Sequence, residues 1–323
     1  MQRDLWTIFD WLSLGSRSAV QPDNLAQARR ELQQRIALII HRLALSAEQI
    51  ASLPDTYQQA INADVFPPAF QPVQPEAAYL PPDLFDPQSD WVQVGRLTKP
   101  TAGIHVQSEV FSGRSAFLVF MRFPGGKAAA KEHLVTVNSA ELVQQLPLVP
   151  SGTEVALVRQ LLLIDDHGNL TSSEITESVQ IRHISDVNLA RREITQQDFE
   201  FQFERTRLFS GEAGGLVALS RDERQFPVFM THGIDPFDHD QQLLEQYQIV
   251  TLQQCSACHS DFIQQTDSLH TFDQFGGSTA LVDDFEPTTP AQEYMRVIHW
   301  KMTQENWKLL ILLIHEAPAH DVN

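Results

Sequence analysis

Both cysteines of the chain fall within five residues, Cys255-Ser256-Ala257-Cys258-His259. Two thiols and an imidazole at this spacing suit covalent attachment of haem c. Each thiol adds to one vinyl group of the porphyrin and becomes a thioether, and the histidine reaches the iron from the proximal side. The spacing serves because two sulfurs must meet two vinyls along one edge of the ring while the next residue turns under the metal. Three other readings use the same residues. C-x-x-C can be a redox dithiol, which belongs at a strand-to-helix junction of a thioredoxin-like unit. Cys255, Cys258, His259 and His270 can be gathered around zinc, although a structural zinc site usually takes two such cysteine pairs. Two free thiols at a helix end need no cofactor. The pattern as a whole points to one covalent haem c, with Cys255, Cys258 and His259 as its attachments.

A haem held this way needs a sixth ligand or leaves that position open. The candidates are His270 in the loop after the motif, then His299, with Met295 and Met302 on a later helix. A second histidine gives a low-potential site and a methionine raises the potential. An open position permits small-ligand binding or peroxide chemistry. Arg205 and Arg207 are candidates for the haem propionates, because a guanidinium fork suits a carboxylate.

The elements that must position these residues follow from periodicity. Leu5, Ile8, Phe9 and Leu12 share a helical face, expected to dock on the protein's own core, and Leu25, Ala28, Leu32, Ile36, Ile39 and Leu43 form a second stripe. Ser46 with Gln49 reads as a capping box. Residues 1–65 are therefore expected to be helical. Residues 66–90 carry Pro67, Pro68, Pro72, Pro75, Pro81, Pro82 and Pro87, which exclude regular helix or central strand, so this is a linker or a packing arm. Residues 91–235 read as a mostly antiparallel β domain. Its strands are expected at 115–123, 154–164 and 170–184, the last two joined by the Asp165-Asp166-His167-Gly168-Asn169 turn. Phe199, Phe201, Phe203, Arg205, Arg207 and Phe209 alternate as one face of a further strand. Residues 236–323 hold the motif: a helix over 241–254, the C-x-x-C-H, a polar loop, and one long helix from Thr289-Pro290 to just before Pro318. The expected fold class is α+β.

Composition sets outer bounds. The 323 residues carry a net charge of -18. With no basic face in the sequence, this argues against nucleic acid and anionic membrane surfaces and favours a basic partner. No stretch reaches the roughly 18 apolar residues that a bilayer requires. Residues 1–14 lack a basic start, a continuous apolar core and a small-residue cleavage site, so they do not read as an export signal. Covalent haem of this kind is attached outside the cytoplasm. The haem reading therefore expects a periplasmic or extracellular protein with a leader upstream of Met1. Phosphate-binding loops, dinucleotide fingerprints and the nucleophile elbow of hydrolases are absent from the sequence.

Helix, C-x-x-C-H, irregular loop and closing helix, over about residues 240–316, resemble a shortened class I c-type cytochrome. The resemblance implies a helical haem module in which Cys255 and Cys258 are the thioether residues and His259 the proximal ligand. It departs from that family in the distal ligand, since no methionine occurs between Cys258 and Met295. Elsewhere, Leu53-Pro54-Asp55-Thr56-Tyr57, Leu80-Pro81-Pro82-Asp83-Leu84-Phe85, Gly113-Arg114-Ser115-Ala116-Phe117 and Thr176-Glu177-Ser178-Val179-Gln180 look like segments of an uncharacterised bacterial family, predicted to be exported and to carry a late C-x-x-C-H. These likenesses imply electron transfer or redox sensing with a protein redox partner. The alternative is a non-redox β-domain binding or structural protein whose cysteine pair holds zinc or nothing.

Overall fold

The computed structural model describes residues 1–13, 23–97, 100, 112–139, 147, 149–188, 193–220, 225–227, 249–251 and 285–316. Helices and a large antiparallel sheet together make an α+β fold. The helices are α1 (Gln2–Ser13), α2 (Asp23–Arg42), α3 (Ala47–Ala51), α4 (Thr56–Asn62), α5 (Gly126–Asn138), α6 (Arg205–Ser210), α7 (Pro290–Thr303) and α8 (Glu305–Glu316). The strands are β1 (Val92–Arg96), β2 (Ser115–Arg122), β3 (Glu154–Ile164), β4 (Leu170–Asn188), β5 (Glu193–Phe203), β6 (Leu216–Ala218), β7 (Gln225–Pro227), β8 (Ile249–Thr251) and β9 (Phe285–Pro287).

Seven strands form one sheet in the order β6-β5-β4-β3-β2-β1-β9, and β7 pairs with β8 apart from it. Because side chains alternate across a strand, the register stacks like residues into rows. One row runs Phe120, Ala156, Ile181, Phe199, and the next runs Leu118, Val158, Val179, Phe201. All eight are buried. Tyr57 and Ala60 of α4 cover them, with Tyr79, Leu80 and Leu84 from the Pro-rich stretch. Aromatic edges set the fit: Phe66 meets Phe201 at 4.9 Å and Phe85 meets Phe120 at 5.2 Å between ring centroids. On the opposite face, Ala130, Leu134 and Val137 of α5 pack against Val92, Val94, Met121 and Val155. A third core joins α1, α2, α7 and α8 to Ala116, Phe117, Leu162 and Ile164.

Helix α1 buries Trp6, Phe9 and Leu12 in that third core, with Trp6 and Trp307 at 5.7 Å. The stripe read along α2 is corrected: Leu25, Leu32, Ile39 and Leu43 are exposed, and the helix turns Gln33, Ile36, Ala37 and Ile40 inward. Ile36 belongs to both sets, so the true face lies beside the expected one. The capping boxes Ser46/Gln49 and Thr289/Gln292 both form.

Three further expectations are corrected. The strand of alternating phenylalanines ends at Phe203, so Arg205, Arg207 and Phe209 lie on α6 instead. Gly211, at φ 76°, closes that helix in the left-handed conformation that favours glycine. Residues 249–251, expected in a helix, are strand β8, as suits Ile249-Val250-Thr251 with three β-branched side chains. The single last helix is two, broken at Gln304, whose backbone is extended. The break lets Val297 on one side and Trp307, Leu310 and Ile314 on the other reach the same core.

Candidate functional site

The chain leaves β8 at Thr251 and re-enters described structure at Phe285, where β9 pairs with β1 at the sheet edge. Cys255, Cys258, His259 and His270 lie between, outside the described residues. His299 is exposed on α7, as are Met295 and Met302. Both arginines already hold carboxylates of the protein. The Arg205 guanidinium grips Asp4 with two bonds of 2.6 and 2.8 Å, and Arg207 Nε donates to Glu204 at 3.0 Å. These two pairs are half-exposed. The structure thus fixes five of the candidates singled out from the sequence, His299, Met295, Met302, Arg205 and Arg207, while the motif and His270 lie outside the described residues.

Two polar clusters within the described fold were not singled out from the sequence. The first extends the apolar rows by one step. Register places Arg122, Glu154 and His183 side by side on β2, β3 and β4. The Tyr79 hydroxyl donates to Glu154 Oε1, and Arg122 Nε donates to Oε2 at 2.5 Å. Burial first, then the Glu154 charge, push the Tyr79 hydroxyl pKa upward, so it stays a donor. His183 stacks on Phe70 at 3.7 Å, and burial lowers its pKa, leaving it neutral at pH 7. Arg122 also lies 4.8 Å from the Trp91 ring centre. The cluster pins the Pro-rich stretch to the sheet through a carboxylate whose two oxygens are both engaged.

The second cluster joins the first and last helices. Asp10 Oδ2 accepts from Arg114 Nη1 at 2.6 Å and from Lys301 Nζ at 3.2 Å, while Oδ1 accepts from Asn306 Nδ2 at 2.6 Å. Asp10, Arg114 and Lys301 are all 0% exposed. Burial pushes the Lys301 ammonium down to about 8 and Arg114 down to about 10, each opposed by Asp10. Nearby, Arg3 Nε and Arg159 Nε flank Glu177 at 3.2 and 3.4 Å, and Ser115 Oγ donates to it at 2.5 Å. Burial alone would raise the Glu177 carboxyl, but Arg3 and then Arg159 outweigh it and hold it below its ordinary value. With no exposure, the Asp10 cluster clamps helices and offers no reactive group to a substrate. Its sequence signal was legible in one respect: Asp10 is four residues from Trp6 and so shares its buried helical face.

Asp165, Asp166 and His167 lie close enough to share a cation. Their ligand atoms are already engaged within the turn: Asp165 Oδ1 accepts from the His167 and Asn169 amides at 3.0 and 2.7 Å, and His167 Nδ1 meets Asp166 at 2.7 Å. Comparison of the chain with protein-family models, curated proteins and solved structures finds no match.

Proposed function

We propose that this chain is a c-type haem protein that carries one covalent haem and serves in electron transfer or redox sensing outside the cytoplasm. The observation that carries the reading is the sequence Cys255-Ser256-Ala257-Cys258-His259. Its donor set, two thiols and an imidazole, fits haem c. Cys255 and Cys258 hold the porphyrin edge, and His259 supplies the proximal nitrogen. When bound, the haem supplies one-electron redox chemistry, and the chain sets its potential through the sixth ligand, burial and nearby charge. His270 and His299 are the proposed sixth ligands; His299 is exposed on α7 and so not committed to a core. Arg205 and Arg207 are the proposed propionate partners, each held in a half-exposed pair with an acidic side chain that a propionate would have to displace or share. The cytochrome c-like form of residues 236–323 belongs to the same proposal. The net charge of -18 supports a redox partner with a basic docking surface.

The test is expression of the chain behind an export signal, together with the c-type maturation machinery, followed by a pyridine haemochrome spectrum. A covalent spectrum that is lost in the Cys255→Ala, Cys258→Ala double variant establishes the haem. A colourless, folded protein whose two thiols titrate freely or release zinc refutes it and leaves a non-redox β-sheet binding protein.

A further inference from the structure

Helix α2 carries two rows of side chains with different fates. Ile36, Ala37 and Ile40 pack into the core that α1, α7 and α8 share. A second row stands clear of that core. Leu25, Ala28, Leu32, Arg35, Ile39 and Arg42 follow one another at steps of three, four, three, four and three residues, and all six are exposed. Leu25 is 47% exposed, Leu32 44% and Ile39 42%. Steps that average three and a half residues keep a row in line with one neighbouring helix, as in a coiled-coil seam.

We propose that this row is the contact between two copies of the chain, with the α2 helices packed antiparallel. A lipid surface fits it poorly, since such a surface takes a broad apolar face and the chain carries a net charge of -18. A parallel pair would set Arg35 on Arg35 and Arg42 on Arg42. The antiparallel pair has a two-fold axis between residues 33 and 34 and avoids both clashes. It faces Leu25 with the partner's Arg42, Ala28 with the partner's Ile39 and Leu32 with the partner's Arg35, each twice. Small then meets large at Ala28, and the arginine stems cover leucines while their charged ends reach water.

Charge also matches across this axis. Glu31 adjoins Leu32 and so comes within reach of the partner's Arg35. Among the described residues Glu31 accepts only from Gln27, at 3.0 Å, and Arg35 and Arg42 form no ion pair, so these groups are free for a partner. From Leu25 to Arg42 the contact runs about 26 Å. A helix pair of that length buries on the order of 1,000 Å², the lower bound of a specific interface, which implies a dissociation constant of micromolar order. The row shares no residue with the haem motif, so this dimer and the haem reading can fail independently.

The test is sedimentation equilibrium of the full chain from about 1 to 200 µM at physiological salt. The average mass is expected to rise with concentration toward that of two chains. Leu32→Glu with Ile39→Glu should weaken the dimer a hundredfold or more and leave the thermal midpoint at low concentration unchanged, because both side chains are exposed. Arg35→Glu alone should weaken it tenfold or more by setting two carboxylates together. Adding Glu31→Arg to Arg35→Glu exchanges the charges and should restore most of the affinity. A single-chain mass up to about 200 µM overturns the proposal. So does a dimer that survives Leu32→Glu with Ile39→Glu, which would place the contact elsewhere. Failure of the charge exchange to recover at least half of the lost affinity, on a logarithmic scale, overturns the antiparallel pairing. The charge exchange decides the matter even if the double glutamate variant fails to fold.

Discussion

Asp10 is one anion held between two cations, and removing its charge should cost the fold more than removing either partner. Its side chain is 1% exposed, and those of Arg114 and Lys301 are 0% exposed. Asp10→Asn keeps the shape and leaves two buried cations without a counter-ion. Breaking a buried pair in this way costs about 3–5 kcal/mol. Lys301→Met instead leaves the neutral Asp10–Arg114 pair and is expected to be near neutral or stabilising at pH 7. The lysine also writes a pH dependence. Its ammonium falls from 10.5 to about 8 on folding, and at about 1.4 kcal/mol per pKa unit the charged form is disfavoured by about 3 kcal/mol. The unfolded chain thus binds more protons than the native one between pH 8 and pH 10.5, and stability rises with pH across that window. Between pH 7 and pH 9 the gain is about 1 kcal/mol, and pH 9 stops short of the range in which tyrosines titrate in the unfolded chain. Urea unfolding at both pH values, on the wild type and the two variants, measures all of this. A loss below about 1 kcal/mol in Asp10→Asn, or an undiminished rise from pH 7 to pH 9 in Lys301→Met, would refute the reasoning.

His133 gives the opposite end of the pH scale. Burial lowers its imidazole to about 4, so unfolding takes up a proton below pH 6.5 and stability falls as pH drops. The loss from pH 7 to pH 4.5 is about 2 kcal/mol, and His133→Leu should remove it in an otherwise matched acid titration. Gly214, at φ 61°, faces α4, where an added Cβ would sit 2.2 Å from the Thr56 carbonyl oxygen. Gly214→Ala combines a left-handed non-glycine with overpacking and should cost about 3 kcal/mol in thermal or urea unfolding. An unchanged midpoint would mean that the turn can move away from α4.

Runs of apolar and β-branched residues located β2, β3 and β4 to within a few residues, because those runs are bounded by strong turns such as Asp165–Asn169. Cap chemistry located α3 and α7 for a similarly local reason. What failed was the choice of face on α2, where Leu25, Leu32, Ile39 and Leu43 spell out a stripe beside the one the core takes, Gln33, Ile36, Ala37 and Ile40. Alternation also carried on past Phe203, since nothing in side-chain type marks the point where a strand gives way to the turn before Arg205. The haem motif was legible because its chemistry is carried by five adjacent residues. The cluster of Tyr79, Arg122, Glu154 and His183 was not, since strand pairing and the Pro-rich stretch bring those residues together from distant parts of the chain.

Helix α1 packs against α8, and Asp10 on α1 is neutralised by Lys301 on α7. Helix α1 therefore waits for α7 and α8, which are synthesised much later. Until residues 290–316 emerge, Trp6, Phe9 and Asp10 have neither their apolar lid nor one of their two cations. Contacts of this sequence separation delay completion of the core. The cysteine pair precedes α7 and α8, so it leaves the ribosome before that closure can occur. A chain cut before Pro290 is expected to keep much of the sheet, lose the helical layer across its Phe117–Ile164 end, and expose a tryptophan-rich surface to chaperones and proteases.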